Sequence, residues 1–151
     1  MLNISIRLAS LEDAPGITAT VCEAYVHYIE RIGKQPGPML RDYASIIETD
    51  QVHVAVSGGR IVGTMTLKIT PDGYFLENVA VRPEIKGTGV GKQLLQLAEL
   101  EARRQGYDSI YLSTHELMTE NRTLYARIGY VEFEQRVVNG YSRVFFRKSL
   151  A

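Results

Sequence analysis

The chain has 151 residues, with 17 basic and 17 acidic side chains and a formal net charge of zero. That length suits one domain, 1–151, with a full hydrophobic core, and the neutral balance argues against a broad basic footprint for nucleic acid. One cysteine, Cys22, allows no internal disulfide and suits a reducing compartment.

Taken in order, Ile4 to Leu8 alternates and predicts a first strand. The segment from Met1 to Asp13 has neither an apolar leader core nor a small-residue cleavage site. No apolar run reaches membrane-spanning length, so the expected location is cytoplasmic, with no membrane partner. Asp13 offers a helix cap and Pro15 falls in the first turn. Ile17, Val21, Ala24, Tyr25, Tyr28 and Ile32 then recur at helical spacing, which predicts one long helix stopped by Gly33 and the following prolines. Cys22 lies inside it and reads as core filler rather than as a nucleophile. A second helix is expected over Leu40 to Glu48.

Val52 to Ser57 and Arg60 to Ile69 are predicted strands joined by the hairpin pair Gly58-Gly59. A second turn, Thr70 to Gly73, leads into a strand from Tyr74 to Val81. Lys92 to Arg104 has a helical apolar face and ends at Gly106. A strand over Ser109 to Ser113 and a short helix over Glu120 to Ile128 follow. Val131 to Val138 and Tyr141 to Lys148 pair about Asn139-Gly140. The fold class is α/β of the α+β type: order βααβββαβαββ, a mixed, mostly antiparallel sheet with helices on both faces.

Between the fourth strand and its helix lies Val79 to Leu95, V-A-V-R-P-E-I-K-G-T-G-V-G-K-Q-L-L. Gly87, Gly89 and Gly91 let the chain fold tightly and gather backbone N–H groups at the mouth of a helix, where an anion is favoured. Lys86 and Gln93 stand where a Walker loop needs Gly and Ser or Thr, and Lys92 stands where a dinucleotide fingerprint needs its third glycine. The loop therefore reads as a phosphate cradle of another kind, with Lys86, Lys92 and Arg82 as candidate cations.

Lys86-Gly87-Thr88-Gly89-Val90-Gly91 resembles the pyrophosphate signature of the GNAT N-acetyltransferase superfamily, [Q/R]-x-x-G-x-[G/A]. Lysine replaces the usual Gln or Arg, which keeps the charge and loses the planar fork. Asn121 to Tyr130 resembles the family's N-x-x-x-x-Y-x-x-x-G-[FY] segment, and Ile6-Arg7-Leu8 with Asp13-Ala14 resembles the opening of many members. The resemblance implies acetyl-coenzyme A (acetyl-CoA) as cofactor and direct transfer of its acetyl group to an amine. It also implies pantetheine pairing along Val79, Ala80 and Val81, one of whose amides, that of Val79 by preference, would polarise the thioester carbonyl.

An ammonium has to lose a proton before it attacks. Glu77, expected to share a strand face with Phe75 and Val79, is the candidate base, and Glu84 is its rival. The alternative for Glu77 is a carboxylate paired with Lys or Arg. Tyr125 matches the family's tyrosine and would donate a proton to the departing thiolate, with Asn121 one helical turn earlier lining the cofactor. Tyr25, Tyr28, Met39 and His115 are candidate acceptor-side residues, with Tyr43 on the same wall. His27, His53 and His115 show no metal-ligand spacing. A coenzyme A sensor of the same fold without turnover is the alternative function, and acylation of nucleic acid or a ribosomal partner is disfavoured by the neutral charge. A homodimer is a further partner suggested by the family.

Overall fold

A computed structural model describes residues 3–151. Met1 and Leu2, the start of the segment read above for a leader and of the 1–151 domain, lie outside the described residues. The chain runs β1 (Ser5–Leu8), α1 (Ala14–Tyr25), α2 (Tyr28–Ile32), α3 (Tyr43–Thr49), β2 (Gln51–Ser57), β3 (Arg60–Thr70) and β4 (Gly73–Val81). It continues through α4 (Val90–Arg104), β5 (Ser109–His115), α5 (Thr119–Arg127), β6 (Val131–Val138) and β7 (Tyr141–Ser149). The strands form one sheet in the order β1-β2-β3-β4-β5-β7-β6. Every pairing is antiparallel except β4 with β5.

Apolar side chains on both faces of the sheet fix where the helices lie. Leu94, Ala98 and Ala102 of α4 are fully buried against Met65, Leu76, Ile110 and Leu112. On the opposite face Ile17 and Val21 of α1, with Tyr43 of α3, pack on Val52, Val54 and Ala80. Each fully buried aliphatic side chain contributes about 1.5–3 kcal/mol relative to exposure. Gly63 lets β3 approach α4: a Cβ there would come within 3.1 Å of Val90 Cγ1.

Two expectations for the N-terminal half change. The first helix is broken at Val26-His27, where the Ile29 N–H bonds Val26 O at 3.2 Å and the ladder tightens by one residue. The second begins at Tyr43 rather than Leu40, because Gly37–Leu40 forms a 3-10 turn and Asp42 caps α3. The Asp42 carboxylate accepts from Ala44 N and Ser45 N at 3.2 and 3.4 Å. Asp13, expected as a side-chain cap, instead accepts from Arg7 and from Ser10 N. Among the described residues no helix is long and apolar enough to cross a membrane.

Candidate active site

The β4–α4 connection brings its amides to one point. Pro83–Ile85 makes one 3-10 turn, after which Gly87 and Gly89 take φ of +84° and +93°. These are left-handed conformations that a Cβ penalises. The chain then enters α4 with Gly89 as N-cap. Among the described residues the amides of Gly89, Val90, Gly91 and Lys92 have no hydrogen-bond acceptor, and Gln93 N is the first to close the helical ladder, onto Gly89 O at 3.0 Å. Four free donors at the positive end of a 15-residue helix are suited to an anion. Lys86 and Lys92 are exposed on either side of it, and neither has a carboxylate partner among the described residues.

A bulge shapes the strand that leads to this loop. Thr66 faces Asn78 and Leu67 faces Leu76, so Glu77 has no partner on β3. The side-chain faces exchange across it. Tyr74 and Leu76 belong to the core under α4, and so do Val79 and Val81, while Ala80 faces α1. The expected common face of Phe75, Glu77 and Val79 is therefore interrupted at Glu77 itself.

Past the bulge β4 loses its second neighbour. Only Phe75 with Tyr111 and Leu76 with Leu112 pair to β5, whereas β3 accompanies β4 as far as Val81. The Tyr25 hydroxyl reaches Val79 O at 3.2 Å, so the Val79 peptide groups point to the open side. By the alternation of a strand, Val81 points there too, and Ala80 turns its N–H and C=O toward β3. Between the parted strands lies a cleft of about 750 Å³ lined by Val79 to Val81, Lys86, Gly87, Gly89, Gly91, Lys92, Asn121, Leu124 and Tyr125. Its volume is within the range of small-molecule sites, and it runs from the free amides to the open edge.

A second, smaller cavity of about 30 Å³ meets the cleft at Tyr25, Val79, Asn121 and Tyr125, which line both. Glu77 lines it as well, and its side chain is 13% exposed. Oε1 lies 3.4 Å from Arg41 Nε, while Oε2 is buried without a hydrogen-bond partner among the described residues. Burial pushes the Tyr25 phenol up to about 12, and it donates to Asn78 Oδ1 at 3.0 Å. Burial likewise raises the pKa of Tyr125, which keeps it a proton donor at neutral pH. Asn121 Nδ2 donates to Thr114 Oγ1 at 3.3 Å. His115 is the last residue of β5, not a loop residue beyond it. Its Nδ1 accepts from Leu117 N at 3.0 Å. Burial, aided by Arg143, lowers its pKa and favours the neutral ring, protonated on Nε2.

Several expected site residues take other places. Thr88 faces away from the cleft, its N–H and hydroxyl both bonded to Ile85 O. Val90 offers only its amide, since its side chain is 1% exposed in the core. Arg82 is buried, donating from Nε to Ile61 O at 2.8 Å and pairing with Glu23, so it is no cation for the loop. Glu84 pairs with Arg60 at 3.0 Å. Met39 lines neither cavity, and Tyr28 lines the larger cleft, stacked under Arg31 at 5.0 Å. Residues the sequence did not single out complete the small cavity: Asn78, Arg143, Tyr141 and the segment Pro36–Pro38. Asn78, a polar residue inside an apolar strand, was the one visible signal among them.

A sheet parted beside a helix-borne anion cradle, with a small cavity holding a carboxylate opening onto the cleft, is an arrangement suited to a coenzyme A-dependent transferase. Residues 48–132 match the family described as an acetyltransferase (GNAT) domain. The chain belongs to the GNAT family: it is an acyltransferase that takes acetyl from acetyl-CoA and delivers it to an amine. It is similar to the aminoalkylphosphonate N-acetyltransferase of Salmonella typhimurium, 27% identical over 133 residues that cover 83% of each chain. Its fold is similar to that of PaiA N-acetyltransferase from Thermoplasma acidophilum in complex with coenzyme A, with TM-score 0.81, 18% identity and coverage of 97% and 99% of the two chains. YncA from Salmonella typhimurium with its cofactor acetyl-CoA is a further neighbour, with TM-score 0.73, 21% identity and coverage of 99% and 95%. The reading as a sensor without turnover is not favoured.

Proposed function

We propose that the chain is a single cytoplasmic N-acetyltransferase domain that acts on a small-molecule amine, with Glu77 as the general base. The observation that carries this is Glu77 Oε2, a buried oxygen on a side chain lining the small cavity that opens onto the cofactor cleft, with no hydrogen-bond partner among the described residues. A buried acceptor left unpaired is costly, and an ammonium proton would satisfy it.

Acetyl-CoA, when bound, supplies an acetyl group activated as a thioester. The amides of Gly89 to Lys92 hold the diphosphate, helped by Lys86 and Lys92. Val79 and Val81 present N–H and C=O groups to the pantetheine arm as a neighbouring strand would. The Val79 N–H donates to the thioester carbonyl oxygen and stabilises the negative charge that develops there. Glu77 takes a proton from the acceptor ammonium, and the freed nitrogen forms the new C–N bond as the C–S bond breaks. Tyr125, which lines both cavities, would donate its proton to the leaving sulfur and regain one from the new amide nitrogen, which sheds the second ammonium proton, so that Glu77 keeps the single proton released overall.

The small cavity favours a small acceptor over a peptide. Lys34 Nζ donates to Gly140 O at 2.9 Å and the Tyr141 hydroxyl to Gln35 O at 2.5 Å, which straps the Pro36–Pro38 segment across the β6–β7 turn. The Salmonella relative named for aminoalkylphosphonates is consistent with a small amine. Mass spectrometry of an amine and peptide library incubated with enzyme and acetyl-CoA tests the reading. Acetylated small amines are expected; acetylation confined to peptides would overturn it.

A further inference from the structure

Arg143 has no counter-ion among the described residues. It stands on β7 directly opposite His115 of β5, lines the small cavity and is half buried. Among the described residues no carboxylate lies within salt-bridge distance of its guanidinium, and no acceptor takes a hydrogen bond from it. Other lysines and arginines without a carboxylate are exposed, or, like Arg147, donate hydrogen bonds to Ser109 Oγ and Asp72 O, so among the described residues Arg143 is the one partly buried cation with neither an ion pair nor a hydrogen bond. Its nearest π contact, to the Tyr141 ring, is 6.0 Å to the centroid, at the outer limit of a useful interaction.

The surroundings hold the guanidinium toward the cavity. Gly37 in the strap lies so close that a Cβ there would come within 2.9 Å of an Arg143 terminal nitrogen. Arg41 lies on the same side and is already engaged with Glu77 Oε1 at 3.4 Å. Burial, reinforced by Arg41, lowers the Arg143 pKa from its ordinary value, and Glu77 opposes that only weakly. The cavity thus holds the Arg143 guanidinium and the Glu77 carboxylate, whose Oε1 is already engaged by Arg41 from outside it, with His115 neutral. A desolvated charge without a partner is unfavourable unless a ligand completes it.

We infer that Arg143 is the anion-binding residue of the acceptor site, and that the acceptor is a small primary amine carrying an acidic group, a carboxylate, phosphonate or phosphate monoester. The inference rests on the acetyl-transfer reading and deepens it. One end of such a molecule supplies the ammonium that Glu77 Oε2 lacks, and the other supplies the oxygens that Arg143 lacks. A guanidinium fork matches either a carboxylate or a phosphoryl group in bidentate fashion. A single cavity then sets both orientation and specificity.

The test is calorimetric titration of the protein saturated with coenzyme A, run beside thiol release with acetyl-CoA. The probes are β-alanine, 2-aminoethylphosphonate and O-phosphoethanolamine, with ethanolamine and putrescine as amines without an acid. At least one acidic amine should bind, and comparison among the three assigns the acid as carboxylate, phosphonate or phosphate. Arg143→Gln should weaken its binding about 10- to 100-fold, Arg143→Lys should recover part of the loss, and coenzyme A affinity should stay within twofold, which shows that the variant is folded. Binding of acidic amines without thiol release would sink the transfer reading and leave the anion site standing. Equal use of ethanolamine and putrescine, or acidic-amine binding indifferent to Arg143→Gln, would overturn the inference while acetyl transfer stood.

Discussion

The Tyr25 hydroxyl lies 3.2 Å from the Val79 carbonyl oxygen and donates to Asn78 Oδ1 at 3.0 Å. One phenol on α1 thereby holds β4 just beyond its bulge, where β5 no longer supports it. Tyr25→Phe removes that tie and leaves the ring. One lost hydrogen bond is about 0.5–1.5 kcal/mol, so KM for acetyl-CoA should rise about 2- to 10-fold with a small fall in Tm. Steady-state kinetics and a thermal melt measure both; an unchanged KM would mean that the edge keeps its own geometry.

Glu77→Gln preserves shape and removes the base. Turnover at saturating amine should fall about 100-fold, with acetyl-CoA affinity nearly intact. Raising the pH, which deprotonates more of the amine in solution, should recover part of the rate. A variant as fast as wild type would leave Glu77 as the partner of Arg41 and nothing more.

Tyr125→Phe keeps the packing against Tyr130 and Phe146, whose ring centroids lie 5.8 and 6.1 Å away. Loss of the proton donor should slow turnover about 10- to 100-fold. Acetyl thioesters of more acidic thiols need less help in leaving, so they should narrow the gap between variant and wild type. An equal deficit with every thioester would make the hydroxyl structural.

Gly89→Ala meets no steric obstacle, since nothing lies within 4 Å of the added Cβ, but it forces φ of +93° on an L residue. The strain is about 1–2 kcal/mol. If the loop relaxes by moving, acetyl-CoA binding should weaken about 5- to 30-fold, read by calorimetry. If it stays in place, the loss should appear in Tm instead.

Stability should depend on pH through His53 and His115. Burial lowers both pKa values below 6.5 in the folded chain. The unfolded state then takes up protons first as pH falls, so stability is full above about pH 6.5 and declines below it. Chemical denaturation at pH 7.5 and 5.5 measures the decline, and His115→Gln should make it shallower. A slope that persists unchanged in the variant would assign it elsewhere.

Features fixed by local conformation were readable from the sequence alone. Gly58-Gly59 and Asn139-Gly140 turn where their residue types place them, with Asn139 at φ of +51°, and Gly87 and Gly89 take the left-handed conformations that the tight loop after Lys86 requires. Tyr125 and Asn121 lie where the two cavities meet, and Glu77 lines the smaller one. What depends on register or on distant segments was not readable. Alternation alone cannot reveal the bulge that turns Val79 away from the face of Phe75. Arg143 reads as one more charge on a half-exposed strand until Gly37, more than 100 positions earlier, is seen against it. Arg82 looks available beside the cradle, yet Ile61 O and Glu23 claim it from other elements. Met39 sits in a wall segment whose prolines, rather than its own side chain, face the cavity.

The central claim is that the Gly89–Lys92 amides and the unpaired edge of β4 hold the donor so that its thioester reaches Glu77's side of the cleft. A crystal structure of the protein with a non-hydrolysable acetyl-CoA analogue tests it most directly. The diphosphate oxygens should lie within hydrogen-bond distance of those amides and the acyl carbonyl oxygen within reach of Val79 N. A diphosphate bound elsewhere, or an acyl carbonyl turned away from β4, would contradict the account.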